Sequence, residues 1–400
     1  MKLLVLNAGS SSLKFSVFEG SDLALLANGL VEKIGDNGSK VIFKYGRNDK
    51  LKTLEQNCDV KDHRSALLAV VDLLTDEEYG VLSNITEITT VGHRVVHGGE
   101  YYSQPAEVDE TLKQRIKELI PLAPLHNPAN LVGIEVSQEV FPQARQIAVF
   151  DTAFHQSLPE YAYRYALPNG LYDRYGIRVY GMHGTSHQYV TSEAADYLKM
   201  KPDRVNLITI HLGNGCSMSA VQKGACIDTS LGFSPLPGLV MGTRSGDIDP
   251  SVIFHLLRTG DYSAQQIESM LNKESGLKGL AGFTDLRDVH RERKKGNQEA
   301  QVALDIYCYR IKKYIGSYLA VLSSVDAIVM TAGVGENDSY VREHALSGLT
   351  HFGIEVDRAK NQAKRNGIRE IQSEDSLVKL LIIPTDEERQ IAMSCLGFSE

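Results

Sequence analysis

The sequence predicts an α/β protein in which one strand–turn–strand unit is used twice. Three observations lead there. Short apolar stretches alternate with helix-spaced segments along a chain of 400 residues. The strand Leu3–Leu6, the small-residue turn AGSSS and the strand Lys14–Phe18 recur as Val205–Leu212, GNGCS and Met218–Val221. Placing Gly9 on Gly213 gives an offset of 204 residues, which also carries Val17 onto Val221 and Gly20 onto Gly224. Coincidence between two Gly/Ser hairpins is the alternative reading of that match. Finally, the apolar strands Ala327–Thr331 and Val378–Ile383 each run into a polar or glycine-rich loop, where open α/β sheets gather ligands.

Taken in order, Leu3–Leu6 is an apolar run, and Phe15-Ser16-Val17-Phe18 alternates as a strand should. Lys40–Tyr45 reads as a strand after a turn at Asp36-Asn37-Gly38. Leu67, Leu68, Val71 and Leu74 are spaced for a helix over His63–Leu74, and Ile88–Val96 returns to strand. Prolines at 121–128 break the pattern before another helix and the strand Ile147–Phe150. In the second half Thr191–Leu198, Ile253–Leu257, Gln265–Leu271 and Ala300–Leu322 read as helices. No Pro/Ser-rich linker divides the halves, so the boundary is set near Asp151, where a strand gives way to a polar loop.

Composition narrows the function. Apolar residues at 42% and charged residues at 23% are those of a globular chain. A net charge of −8 argues against general nucleic-acid binding, which needs excess cations to release counterions. Five scattered cysteines without a C-x-x-C pair read as reduced thiols of a cytoplasmic protein. The four apolar residues before Asn7 are too few for a signal peptide. Ile315–Thr331 carries Ser323, Ser324 and Asp326 and is too polar for a membrane span.

The chemistry-bearing candidates cluster in glycine-rich contexts. There is no G-x-x-x-x-G-K-[ST], and both Gly213-x-Gly215 and Gly333-x-Gly335 lack the third glycine of a dinucleotide fingerprint. Ala8–Ser12 and Gly213–Ser217 can each cradle an anion on backbone N–H groups. Singly each is an ordinary turn; as a pair they suggest a nucleotide clamp. Arg94 in GHRVVHGG and Arg244 in GTRSGDID offer planar guanidinium forks to carboxylate or phosphate, framed by glycines that let a ligand approach. Asp151 directly follows an apolar strand. His183 and His187, and His93 and His97, are spaced i, i+4, but no H-E-x-x-H pattern accompanies them, which disfavours zinc. Histidines capping turns are the other reading. Asp386, Glu387 and Glu388 after a strand suit Mg²⁺; a solvated helix N-terminus is the alternative, and it is preferred for Glu388, with Glu387 left open.

Eight segments in order, Asn7–Lys14, His93–Gly99, Phe150–His155, Gly181–His187, His211–Gly215, Gly242–Asp249, Gly333–Asn337 and Pro384–Glu388, together resemble the acetate kinase family from residue 4 to near 390. The resemblance implies the acetate and sugar kinase/heat-shock chaperone/actin fold: two ribonuclease H-like α/β domains with the active site in the interdomain cleft. The first would span 1–150 plus 386–400 and the second 151–385, the latter binding nucleotide and forming a homodimer. It implies Mg²⁺-dependent transfer (Mn²⁺ possible in its stead) between ATP and acetate, giving acetyl phosphate and ADP.

Carried onto this chain, Asn7 and Glu387 would organise the metal, and Lys14 would contact phosphate. His211, Leu212, Gly213, Asn214 and Gly215 would cradle the nucleotide phosphates. Asp285, Leu286 and Arg287, with Gly333, Val334, Gly335, Glu336 and Asn337, would line the adenosine pocket. Arg94 would hold the substrate carboxylate, Asp151 would orient it or serve as the acid/base group, the orienting role being preferred because a carboxylate needs no proton removed, and His183 with Arg244 would stabilise the transferring phosphoryl. Val96, Leu125, Met182 and Pro235 would form the acyl pocket. Val96 favours acetate, whereas the flexible Met182 leaves room for propionate as a poorer substrate. A propionate kinase is the nearest alternative; a sugar kinase or an actin- or chaperone-like ATPase would not need two arginines at the acceptor, and a zinc hydrolase is remoter.

Overall fold

The computed structural model describes residues 1–36, 38–48 and 50–398. Asn37 of the expected Asp36–Gly38 turn and the last two residues of the 386–400 segment lie outside them. The chain forms two compact units, Met1–Ala153 with Asp386–Glu400, and Phe154–Thr385.

The first unit is built on a sheet of eight strands: β1 Lys2–Ala8, β2 Ser12–Glu19, β3 Ala24–Glu32, β4 Lys40–Tyr45, β5 Lys52–Asn57, β6 Ile88–Val95, β7 Ala106–Glu107 and β8 Arg145–Phe150. Their order is β5-β4-β3-β2-β1-β6-β8-β7. β1 to β5 form an antiparallel meander, and β6 and β8 join β1 in parallel. β1 is a continuous apolar run because both its faces are covered. Leu4, Leu6 and Ala8 pack in a cluster with helix α1 (His63–Leu74), while Leu3 and Val5 pack against Ile391, Ala392 and Cys395 of the terminal helix Glu387–Gly397. Asp62 starts α1 through a capping box with Ser65, and helix α2 (Asn127–Val140) begins with Pro128 in its first turn, where a missing N–H costs nothing. β5 carries mostly exposed polar residues, so its place in the sheet has no hydrophobic signature in the sequence.

The second unit repeats the plan: β9 Leu207–Leu212, β10 Cys216–Gln222, β11 Ala225–Thr229, β12 Ala327–Thr331, β13 Arg369–Glu370 and β14 Lys379–Ile382, in the order β11-β10-β9-β12-β14-β13. The run β11-β10-β9-β12-β14 matches β3-β2-β1-β6-β8, and the 204-residue offset carries the end of β1 onto the end of β9 and the start of β2 onto that of β10. Gly20 and Gly224 both turn the chain at positive φ, 75° and 77°, a region side chains avoid, which is why the repeat keeps glycine there. Helix α3 (Gly184–Tyr197) covers one face through Tyr189, Val190, Ala194 and Ala195. Further helices are α4 (Pro250–Thr259), α5 (Leu286–Lys294), α6 (Gln298–Leu322), α7 (Ala332–Asn337) and α8 (Ser339–Leu346).

Three expectations change. The glycine-rich stretch after Ala327–Thr331 is the short helix α7 rather than a loop, entered through Ala332 at φ 65°. The helix expected over Gln265–Leu271 is α-helical only over Ala264–Ser269 and continues as a π-turn over Met270–Glu274. Glu388 does stand in the first turn of a helix, but it is half-buried rather than solvated, and burial raises its carboxyl pKa, with Glu387 adding to the effect.

Candidate active site

In the first unit the parallel ladder delivers two chemistry-bearing residues side by side. Arg94 is the penultimate residue of β6, and Asp151 N–H donates to the Val95 carbonyl at 2.9 Å, continuing the β6–β8 pairing one residue past β8. Arg94 Nε donates to Asp151 Oδ2 at 3.0 Å, and its Nη2 reaches the same oxygen. Arg94 Nη1 donates to Asn7 Oδ1 at 3.3 Å. Asp151 is 1% exposed. Burial works against the Arg94 charge, but Asp151, followed by Glu387, outweighs it and raises the pKa above the ordinary arginine value.

Next to this pair, Val96 is buried and its N–H donates to Asn130 Oδ1 at 3.0 Å; Asn130 Nδ2 donates in turn to the Ala8 carbonyl at 2.8 Å. Asn127 Oδ1 accepts from His97 N–H and its Nδ2 donates to the His97 carbonyl, at 3.2 and 3.1 Å. Sequence reasoning passed over both asparagines; three apart in the opening turn of α2, they share a face, which was the available signal. His97 Nδ1 accepts from Gly99 N–H at 3.1 Å and so caps a turn, whereas His93, inside β6, pairs its Nε2 with Gln146 Oε1 of β8 at 2.7 Å and braces two strands instead of a turn. Leu125 is 61% exposed, and Lys14 on β2 is exposed beside the first hairpin, which Gly9 N–H closes on the Ser12 carbonyl at 2.8 Å.

In the second unit the β9–β10 hairpin is closed by Gly213 N–H on the Gly215 carbonyl at 3.0 Å. A methyl added at Gly215 would lie 3.4 Å from His183 Nε2 and 3.6 Å from Arg244 Nη1, so the hairpin, His183 and Arg244 converge on one spot. His183 caps α3 from a left-handed conformation, φ 58°, a strained position of the kind that accumulates at functional sites. Its ring stacks on His211 with centroids 4.4 Å apart, and His211 Nδ1 lies 2.8 Å from Ser186 Oγ. Arg244 Nη1 donates to the Pro235 carbonyl at 3.3 Å, and burial lowers the guanidinium pKa. Met182 is buried, with its carbonyl 3.0 Å from His155 Nε2. His187 does not act as a metal ligand: its Nδ1 lies 2.7 Å from Thr209 Oγ1 and its Nε2 2.7 Å from Ser217 Oγ.

A cavity of about 900 Å³ opens beside the hairpin. Eight expected nucleotide residues line it: Gly213, Asn214, Asp285, Leu286, Arg287, Gly333, Val334 and Asn337. His211, Leu212 and Gly215 stay in the hairpin rather than the cavity wall. Gly335 and Glu336 brace α7 instead: their carbonyls accept from Arg342 Nη1 at 3.0 Å each, and the Glu336 carboxylate accepts Thr385 N–H at 3.3 Å. The wall also includes His290, Arg293, Lys294, Tyr307, Asp338 and Tyr340, which local patterning missed. His290 Nε2 lies 2.7 Å from Asp338 Oδ2; burial raises the pKa of that carboxyl, but the His290 contacts and further partners outweigh it and leave it below its ordinary value. Arg293 lies over the Tyr340 ring at 4.3 Å.

Among the described residues no group of three or more His, Cys, Asp or Glu could hold a metal, and no helix is long and apolar enough to cross a membrane. Two sheets that share a five-strand order, each opening on a small-residue hairpin, with a cation-bearing cavity beside the second, are the architecture of a duplicated ribonuclease H-like α/β protein, and its family makes it a phosphotransferase. Within that class the chain belongs to the acetokinase family, whose profile matches residues 2–393. It is 49% identical over 392 residues to an acetate kinase of Flavobacterium johnsoniae, covering 98% of each chain. The structure of an acetate kinase from Porphyromonas gingivalis superposes with a TM-score of 0.93 at 41% identity over 100% of both chains. A propionate kinase from Francisella tularensis gives 0.91 at 40% identity over 98% of both.

Proposed function

We propose that the chain catalyses reversible, Mg²⁺-dependent transfer of the γ-phosphoryl group of ATP to acetate, giving acetyl phosphate and ADP by direct in-line displacement. The observation that carries this reading is the Arg94–Asp151 pair beside the buried Val96. Asp151 engages the Nε–Nη2 edge of the guanidinium, so the Nη1–Nη2 edge is the fork aimed at an incoming carboxylate. Acetate is already ionised at neutral pH and needs no base. Asp151 therefore orients Arg94 and substrate rather than taking a proton. In the first unit Val96 would meet the methyl group, with the exposed Leu125 as a second candidate contact; in the second unit Met182 and Pro235 would be the acyl-pocket residues.

Phosphoryl transfer passes through a loose transition state, so alignment and charge neutralisation do most of the work. Arg244 and His183, converging at Gly215, would meet the equatorial oxygens, and an arginine in that role is worth roughly 10³–10⁵ in rate. In the second unit the hairpin His211–Gly215 would hold nucleotide phosphates; in the first, Lys14 would be the phosphate contact. Asp285, Leu286, Arg287, Gly333, Val334 and Asn337 would hold the nucleoside, with Gly335 and Glu336 bracing them. Asn7 and Glu387 are hard oxygen donors, both acting on Arg94, and too few for an all-protein cage. That donor set fits Mg²⁺, or Mn²⁺, which keeps waters and phosphate oxygens as its other ligands. Bound there, the cation would neutralise phosphate charge.

Residues 1–150 with 386–400 would supply the acid and metal ligands and 151–385 the nucleotide site. A homodimer through the second unit is supported by α4, which buries none of its residues and exposes Val252, Phe254 and Leu257. A cytoplasmic location follows from the ATP it would consume. Propionate is the second reading, favoured by the likeness to a propionate kinase structure.

A hydroxamate assay with ATP and Mg²⁺, comparing acetate, propionate and butyrate, tests the proposal. Acetate preferred by about tenfold or more, and lost in Arg94→Ala, supports it. Equal or better turnover of propionate would replace the acetate label, and ATP hydrolysis without acyl phosphate would overturn acyl transfer altogether.

A further inference from the structure

We propose that a buried file of alternating hydroxyls and imidazoles, Thr209, His187 and Ser217, positions the proton of His183 on Nε2, the nitrogen at the Gly215 hairpin. The inference rests on the reading of His183 as a group that touches the transferring phosphoryl.

The geometry is continuous. Thr209 Oγ1 lies 2.7 Å from His187 Nδ1, His187 Nε2 lies 2.7 Å from Ser217 Oγ, and Ser217 Oγ lies 2.8 Å from His183 Nδ1. Thr209, His187 and Ser217 are all 0% exposed, so the file is shielded from bulk water. The elements that carry it are rigid: Thr209 sits in β9, Ser217 in β10 and His187 in α3, one turn after His183.

Each link has one proton to place between two heavy atoms, and His187 is a neutral ring because burial, followed by His155 and His211, holds its pKa well down. Ser217 could accept from both rings only by leaving its own buried hydroxyl proton without an acceptor, since the two rings are its side-chain partners, so the protons run one way along the whole file. In one direction Thr209 donates to His187 Nδ1, His187 Nε2–H to Ser217, and the Ser217 hydroxyl to His183 Nδ1. His183 then carries its proton on Nε2 as a neutral imidazole. In the other direction Thr209 would have to be held by the Ser219 carbonyl, 3.5 Å away, at the limit of a hydrogen bond. That direction would also present a lone pair at Nε2 to an anion. A phosphoryl group beside Nε2 and Arg244 therefore selects the first direction, and His183 donates without first becoming an imidazolium. Ser217, His187 and Thr209 are positioning residues; only His183 would touch the reacting group.

The test pairs kinetics with a direct view of the proton. Ser217→Ala should lower kcat about 10- to 100-fold while the KM values for acetate and ATP stay within about twofold. In a His183→Ala background the same substitution should change kcat by less than twofold, because its effect runs through His183. Thr209→Val, which keeps the side-chain shape, provides the same comparison if Ser217→Ala folds poorly. Long-range ¹⁵N–¹H spectra of histidine-labelled enzyme with ADP and inorganic phosphate should show His183 as the Nε2–H tautomer, and lose that signature in Ser217→Ala. An Nδ1–H tautomer in the unsubstituted enzyme, or equal kcat losses in both backgrounds, would overturn the proposal. A predicted tautomer combined with an unaffected His183→Ala enzyme would instead discard the catalytic role of His183 and leave the proton positioning standing.

Discussion

Replacing Val96 with alanine should change which acid the enzyme prefers, and the structure sets the size of the effect. Val96 is 8% exposed, and the substitution removes the equivalent of two methylene groups, about 1.6 kcal/mol of transfer free energy at ~0.8 kcal/mol each. A void is costly only where the surroundings cannot close on it. Here they cannot: Val96 N–H is tied to Asn130, Asn130 to the Ala8 carbonyl, and both backbone groups of His97 to Asn127. The space should therefore persist and receive the extra methylene of propionate. Differences of that kind are worth about 1–3 kcal/mol, or roughly 5- to 150-fold in the propionate-to-acetate ratio of kcat/KM. The hydroxamate assay reads the ratio, and thermal melting reads the stability. A lower Tm with an unchanged ratio would mean that Val96 is core only, and would refute its assignment to the acyl pocket.

Two further outcomes follow from the same physics. His93 and His97 are buried with pKa values pushed down to about 4, and His187 lies well below its ordinary 6.5. The folded chain keeps these rings neutral while the unfolded chain takes up protons below about pH 6.5, so stability is full above that pH and declines as pH falls towards 4. His93 and His97 should each cost about 1 kcal/mol by pH 5.5, read as a lower urea midpoint; a flat profile between pH 7 and 5 would contradict their burial as neutral groups. Phe254→Asp adds a charge to the exposed apolar face of α4, where Phe254 is 58% exposed. If the proposed homodimer forms through this face, sedimentation should show the parent chain as a dimer and the variant as a monomer with the fold intact; a variant that stays dimeric would move the interface elsewhere, and a monomeric parent would overturn the homodimer.

The sequence by itself determined much of the architecture. β1 and β9 are read from runs of apolar residues, because a strand covered on both faces needs them continuously, β2 from its alternation, and β10 from its match to β2 in the repeat. The duplicated hairpin was legible as a 204-residue offset, since glycine at Gly20 and Gly224 answers a local demand for positive φ. Helix α1 and strand β12 were read to the residue, as each carries its own period and stop signals. Arg94, Arg244 and Asp151 stood out because their glycine frames or strand ends are local features too.

Tertiary structure decided the rest, wherever a residue's role depends on distant neighbours. The exposed β5 has no pattern of its own and is a strand only because β4 offers it hydrogen bonds. Glu388 is at a helix N-terminus, as its surroundings in sequence imply, but how much water reaches it depends on what packs around that turn. The wall of the cavity gathers Asn214, Arg293, Tyr307 and Tyr340 from separate elements. Asn130 bonds to Ala8 across 122 residues, and Ser217 meets His183 and His187 across 34 and 30. Periodicity reports which side of an element is buried; which partner waits there is set only when the sheets order and bring remote side chains within hydrogen-bonding distance.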